Sequence, residues 1–136
     1  MRTASFFTYM GPGRISISRF PPRNTPAGFR VYKALAPGSW FNSVTRPEYE
    51  RLYAEQLAAL DPNKVVEDLT ALAGGAEPVL LCYERPPFTE TNWCHRRLVA
   101  AWLERELGIE VNEMARAALQ GENCDQEAST KNTSAP

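Results

Sequence analysis

Apolar positions along this chain recur with two different periods, and the period changes several times. From Arg14 to Phe20, Ile15 and Ile17 alternate with Ser16 and Ser18. That period-2 pattern, fenced by Pro12–Gly13 and Pro21–Pro22, predicts a strand. Ser5 to Tyr9 predicts another short one. Pro21 to Val44 carries no period and is rich in Pro, Gly and aromatics. An ordered loop of that length is often functional. Phe29, Tyr32, Trp40 and Phe41 are expected to pack it over one edge of the core. The period then becomes helical. Thr45 and Glu48 form a capping-box pair, with Pro47 in the first turn. Tyr49, Leu52, Tyr53, Leu57 and Leu60 follow at helical spacing. Asp61–Pro62 closes this helix and caps the next, which carries Val65, Val66, Leu69 and Leu72 and stops at Gly74–Gly75.

Pro78 to Tyr83 reads PVLLCY, a continuous apolar run. Such a run predicts a central strand buried on both faces. A polar loop follows, then a helix from about Thr91 to Leu107 ended by Gly108. Ile109 to Val111 predicts a last strand, and Ala115 to Leu119 a short helix. Asn123 to Pro136 has almost no apolar content and reads as a disordered tail. Strands alternating with helices imply an α/β fold: a small, mostly parallel sheet flanked by helices with Rossmann-like layering. The expected organisation is one domain over residues 1–114 and a polar tail over 115–136. Ligands of such sheets bind beyond the carboxyl ends of the strands, and the loop after Tyr83 lies at such an end.

Composition narrows the class. Hydrophobic residues make up 43% of the 136 residues, enough for one core without a stabilising metal or disulfide. No apolar run is long enough to span a bilayer, and the N-terminus lacks the features of a secretory signal, so a cytoplasmic protein with no membrane partner is expected. Three cysteines, Cys82, Cys94 and Cys124, then read as reduced thiols. The net charge of −1 conceals an asymmetry. The chain up to Arg46 holds seven basic residues and no acidic one. Either that half faces something anionic, or it packs beside the acidic helices of its own chain.

Candidate chemistry collects between the PVLLCY strand and the following helix. Cys82 and Glu84 stand at the strand's end, and Cys94, His95, Arg96 and Arg97 at the helix start. His95 is the chain's one histidine. A helix N-terminus offers free N–H groups and partial positive charge, which favour an anion and lower a thiol's pKa. Four readings stay open. The site binds an anionic small molecule such as a phosphate or nucleotide, clamped by Arg96 or Arg97 with Arg19 and Ser18 from the neighbouring strand end. Alternatively, Cys94 is a nucleophile with Glu84 or His95 as proton partner. Adjacent helical residues point about 100° apart, so Cys94 and His95 are not expected to bond each other. A third reading has Cys82, Cys94 and His95 hold zinc or iron, although no CxxC spacing is present. The fourth is structural: Cys82 as a small buried hydrophobe, Cys94 facing the core, Glu84 paired with Arg96 or Arg97. A non-enzymatic module binding nucleic acid or protein through the basic half is a further possibility, disfavoured for nucleic acid by the pI of about 5.9.

The segment VLLCYERPPFTETNWCHRRLVAAWL resembles the domain of unknown function 488 family, which pairs an LLC-(A/Y)-E strand with C-H-R-x-x-(I/V/L)-A. The matching residues here are Leu80, Leu81, Cys82, Tyr83 and Glu84, then Cys94, His95, Arg96, Val99 and Ala100. ISISRFPP, the LAP turn at Leu35–Pro37 and EYERLYAEQLAALDP extend the likeness over roughly Ser5 to Glu113. The loop before Cys94 is longer here, with Thr89 to Trp93 added. The resemblance implies a fold and a grouping of Arg19, Glu84, Cys94, His95 and Arg96. It implies no cofactor and no particular reaction.

Overall fold

The apolar run after Pro78 becomes the centre of the molecule. The computed structural model describes residues 1–21 and 28–114. Their strands are β1 (Arg2–Ser5), β2 (Arg14–Ser16), β3 (Arg30–Val31), β4 (Val79–Cys82) and β5 (Asn112–Glu113). They form one sheet in the order β3-β2-β4-β1-β5, with every pairing parallel. β4 sits in the middle and all four of its residues are buried, as continuous apolarity predicts. Three helices complete the α/β domain: α1 (Arg46–Ala58), α2 (Pro62–Ala73) and α3 (His95–Leu107). None is long and apolar enough to cross a membrane.

Register decides what each sheet face does. Thr3, Leu80 and Ile15 lie side by side, so their side chains share a face. Ile15, Ile17 and Leu80 join Tyr53, Leu57, Leu69, Val99 and Leu103 from all three helices in the main core. Ala4, Val79 and Leu81 point the other way and are covered by Phe6, Tyr9, Phe29 and Met114. The described helices therefore pack on the face of Ile15 and Leu80, and aromatic and loop residues cover Ala4, Val79 and Leu81. Cys82 is two residues beyond Leu80 and so points to the helical face.

The helix stops and starts follow local chemistry. Thr45 Oγ1 accepts from the Glu48 amide, and Asp61 Oδ1 from that of Asn63. Glu48 completes no reciprocal capping box; its carboxylate pairs with Arg51. Gly74 and Gly108 end α2 and α3 in the left-handed region.

Several expected boundaries move, and one strand appears that the sequence pattern did not predict. β1 occupies Arg2–Ser5 rather than Ser5–Tyr9, because Thr3, Ala4 and Ser5 find partners on β4 while Thr8 turns back to the Ser5 carbonyl. A two-residue strand, β3, lies inside the long loop. α3 begins at His95, not Thr91. Thr89 Oγ1 accepts from the amides of Thr91 and Asn92, and Asn92 Nδ2 donates to the carbonyls of Arg85 and Pro87, so the added polar residues fold on themselves. The last ladder falls at Asn112–Glu113 because Val111 is taken into the core. The short helix expected at Ala115–Leu119 and the tail beyond it lie outside the described residues.

Gly13 sets the start of β2. Its φ is +82°, its carbonyl accepts from the Val79 amide at 2.8 Å, and a Cβ there would collide with the Glu77 carbonyl oxygen. Gly13→Ala should lower stability by about 1–3 kcal/mol in urea unfolding. An unchanged midpoint would contradict this account of the β2–β4 junction.

Candidate functional site

The topology opens a crevice where parallel sheets usually bind ligands. From adjacent strands β2 and β4 the chain departs in opposite directions, toward β3 on one side and past β1 to β5 on the other. Such a switch point leaves a gap above the carboxyl ends of the two strands. A cavity of about 410 Å³ fills it. Ser18, Arg19 and Phe20 come to it from the end of β2, Tyr83 and Glu84 from the end of β4, and Cys94 and His95 from the start of α3. Phe41, Tyr49 and Trp93 give it further aromatic walls.

The walls are held by ring contacts. Tyr49 sits edge-on to Trp40 and Trp93, with centroids 5.0 and 4.8 Å apart. The Arg46 guanidinium lies 5.0 Å over the Trp93 ring. The Tyr83 hydroxyl donates to the Phe20 carbonyl and so joins the two strand ends across the mouth. Burial, and then the Glu84 charge, push the Tyr49 hydroxyl far above its usual pKa and raise that of Tyr83. Both phenols therefore stay neutral, and that of Tyr83 is the donor to Phe20.

Two groups in the wall are poised for a ligand. Ser18 is only 7% exposed, and its Oγ makes no hydrogen bond among the described residues. A buried hydroxyl without a partner is a cost that a ligand atom would relieve. α3 begins with Cys94 in extended conformation, and no side chain caps its first turn. Its free amides and partial positive charge stay beside the cavity. Arg19 adds a half-buried guanidinium, with Nη1 bound to the Pro37 carbonyl at 3.2 Å.

His95 is buried against the edge of Tyr53. Its Nε2 lies 2.7 Å from the Ile17 carbonyl oxygen. A carbonyl only accepts, so Nε2 carries the proton and the neutral ring presents its lone pair at Nδ1. Nδ1 stands 3.8 Å from Cys94 Sγ. The two side chains come into contact, though neither the bonded sulfur nor the unprotonated Nδ1 has a proton to share, so no hydrogen bond joins them. Cys94 lies outside the helix, with φ −145° and ψ 144°, so the 100° rule does not govern the pair.

The remaining sequence candidates turn elsewhere. Arg96 is completely buried below the cavity. It gives Nε and Nη2 to the Glu113 carboxylate at 2.9 and 2.7 Å, Nη1 to Cys82 Sγ at 3.2 Å, and Nη2 to the Glu84 carbonyl at 2.7 Å. Arg97 donates to Thr3 Oγ1 and the Val111 carbonyl. Neither guanidinium lines the cavity. Glu84 forms no ion pair with either arginine through its carboxylate, and the residue is part of the cavity lining. Cys82 lies behind the wall, and its sulfur is bonded to that of Cys94. The expectation of reduced thiols is thereby corrected for these two: the crossing of β4 and the α3 start brings the sulfurs together from twelve residues apart. Cys124 lies outside the described residues. The basic half is partly neutralised within the chain, since Arg2 meets Glu77 and Arg46 meets Glu50. Tyr49, Trp93 and Glu113 escaped sequence reasoning. The two aromatics resemble ordinary core residues, and nothing near Glu113 marks it as a partner of Arg96.

Burial foremost, and then the Arg96 charge, hold His95 down from 6.5 to about 4, against the raising effect of the Ile17 bond. Above pH 6.5 the ring is neutral folded or unfolded, and its contribution is constant. Between 6.5 and about 4 the unfolded chain takes the proton first, so stability falls as pH falls. Among the described residues, Tyr53, Arg96, the Ile17 carbonyl and the bonded sulfurs of Cys82 and Cys94 stand around the ring, and neither sulfur titrates. Urea unfolding from pH 7 to 4 should show this slope, and His95→Gln should flatten it. Equal slopes in both proteins would contradict a buried neutral imidazole.

Comparison with known proteins adds one finding. A family model, DUF488-N3a, described as the active DUF488-N3 subclade, matches residues 10–107. No curated protein and no solved structure gave a match. The matched span takes in β2, β4, the cavity-lining segments and all of α3, and the chain belongs to the DUF488-N3a family.

Proposed function

We propose that the cavity binds a small anionic, nucleotide-like molecule and presents it to the Cys94–His95 pair. The observation that carries this reading is the unpartnered Ser18 hydroxyl, buried in the wall beside the uncapped start of α3. An anionic group placed there would accept from Ser18, from the first α3 amides and from Arg19. Phe20, Phe41, Tyr49, Tyr83 and Trp93 offer faces and edges to a flat ring. Glu84 supplies an acceptor for ligand N–H or O–H groups. A site with both a cationic and an anionic wall suits a molecule carrying an anion and hydrogen-bond donors better than a bare phosphate ion.

The sulfur of Cys94 and the imidazole of His95, both in residues that line the cavity, support a catalytic role. Arg96 and Arg97 act from behind that lining in this reading. Arg19 takes the ligand-facing role.

A thermal-shift screen of nucleoside monophosphates, nucleosides and inorganic phosphate tests the proposal. Nucleotides should raise the melting temperature of the wild type. Arg19→Ala and Ser18→Ala should each weaken binding about 10-fold, the loss of one hydrogen bond to a charged group. A screen with no shift, or shifts that both variants keep in full, would overturn the proposal.

A further inference from the structure

A second chemistry is built into the cavity floor. Cys82 Sγ, Cys94 Sγ and a ring nitrogen of His95 all lie within 4.8 Å of one another, and all three residues are buried. Two elements deliver them: Cys82 ends β4, and Cys94 and His95 begin α3.

Four features make this more than a chance grouping. The imidazole is already oriented. Its Nε2 proton goes to the Ile17 carbonyl, which leaves the Nδ1 lone pair toward Cys94 Sγ. A backbone carbonyl on the far ring nitrogen is the usual support of a metal-bound histidine. Next, Arg96 Nη1 donates to Cys82 Sγ at 3.2 Å, which sets a positive charge against that sulfur. Charge supplies the third feature. Two thiolates and the Glu113 carboxylate carry three negative charges, and Arg96 with a divalent cation carries three positive ones. A buried group of this kind is far less costly when it sums to zero. Finally, the Cα atoms of Cys82 and Cys94 are 7.2 Å apart. Disulfides usually span roughly 4.4–6.8 Å, whereas two thiolates on either side of a shared ion accommodate a wider separation.

We propose that, once the Cys82–Cys94 bond is reduced, Cys82, Cys94 and His95 hold a zinc-class divalent cation through two thiolates and Nδ1, with the fourth position open to the cavity. Two sulfurs and one imidazole are soft and borderline donors that select zinc over magnesium or calcium. Three protein ligands with one open position are the pattern of a reactive rather than a structural zinc site. The chemistry balances. Two molecules of a small thiol reductant of the glutathione class leave as their own disulfide and supply two electrons, so the cystine becomes two thiols. The cation then displaces the two thiol protons, and His95 contributes a lone pair without losing a proton. Bonded sulfurs and bound cation exclude each other. The inference rests on the cavity reading only for what the fourth position faces.

The test uses the full chain purified under thiol reductant without chelator. Elemental analysis should find stoichiometric zinc-class metal. Cobalt added to the metal-free reduced protein should produce thiolate-to-metal charge-transfer absorption together with strong tetrahedral ligand-field bands. Cys82→Ser, checked for folding by circular dichroism, should weaken cobalt binding at least 10-fold and reduce the charge-transfer intensity. If that variant does not fold, the wild-type spectrum decides alone. Free Cys82 and Cys94 thiols with no cobalt spectrum would overturn the proposal, as would a disulfide that resists the reductant. An unaltered spectrum in folded Cys82→Ser would do the same. Nucleotide-induced shifts of the metal-free protein test the cavity reading separately, so failure of one is distinguishable from failure of the other.

Discussion

One buried guanidinium holds the site together. Arg96 has no exposed surface, yet it reaches the end of β4 through Cys82, the following loop through the Glu84 carbonyl, and β5 through Glu113. Phe88 stacks 4.9 Å from it and screens it from water. A charge in such a place is tolerable only when paired and hydrogen-bonded on every side. That requirement fixes where α3 starts relative to the sheet. The cavity exists because α3 starts there: Cys94 and His95 are the residues immediately before Arg96, and Glu84 is held by its own carbonyl on the same guanidinium.

The rest of the molecule supports that arrangement at some distance. Parallel pairing of β2 and β4 sets Ser18 and Glu84 at the same end of the sheet. α1 contributes Tyr49 to the wall and Tyr53 to the face of His95. The Thr89–Asn92 turn shortens the helix by one turn, which leaves Cys94 extended and its sulfur free to approach both His95 and Cys82. A longer α3 would have turned these side chains apart.

Much of this was legible in the sequence where the signal was local. PVLLCY marked the central strand because burial on both faces demands continuous apolarity. Thr45, Asp61, Gly74 and Gly108 marked helix ends because caps are short-range chemistry. The grouping of Ser18, Arg19, Glu84, Cys94 and His95 followed from strand ends and a helix start. The illegible parts depend on distant partners. β1 has the unremarkable sequence RTAS and becomes a strand only because β4 and β5 take it up on both sides. Arg96 looked like a ligand clamp beside Cys94 and His95. Its direction is decided by Glu113, seventeen residues on, and no local pattern announces that pairing.

A double-mutant cycle on Arg96 and Glu113 tests the dependence of the site on this ion pair most directly. Arg96→Met, Glu113→Gln and the double variant would be unfolded in urea under one set of conditions. The account predicts that the single substitutions are each severely destabilising and that the pair is coupled by about 2 kcal/mol or more, at the upper end for contacting residues. Effects that add to within about 0.5 kcal/mol would contradict it, because the guanidinium would then hold the start of α3 without help from Glu113.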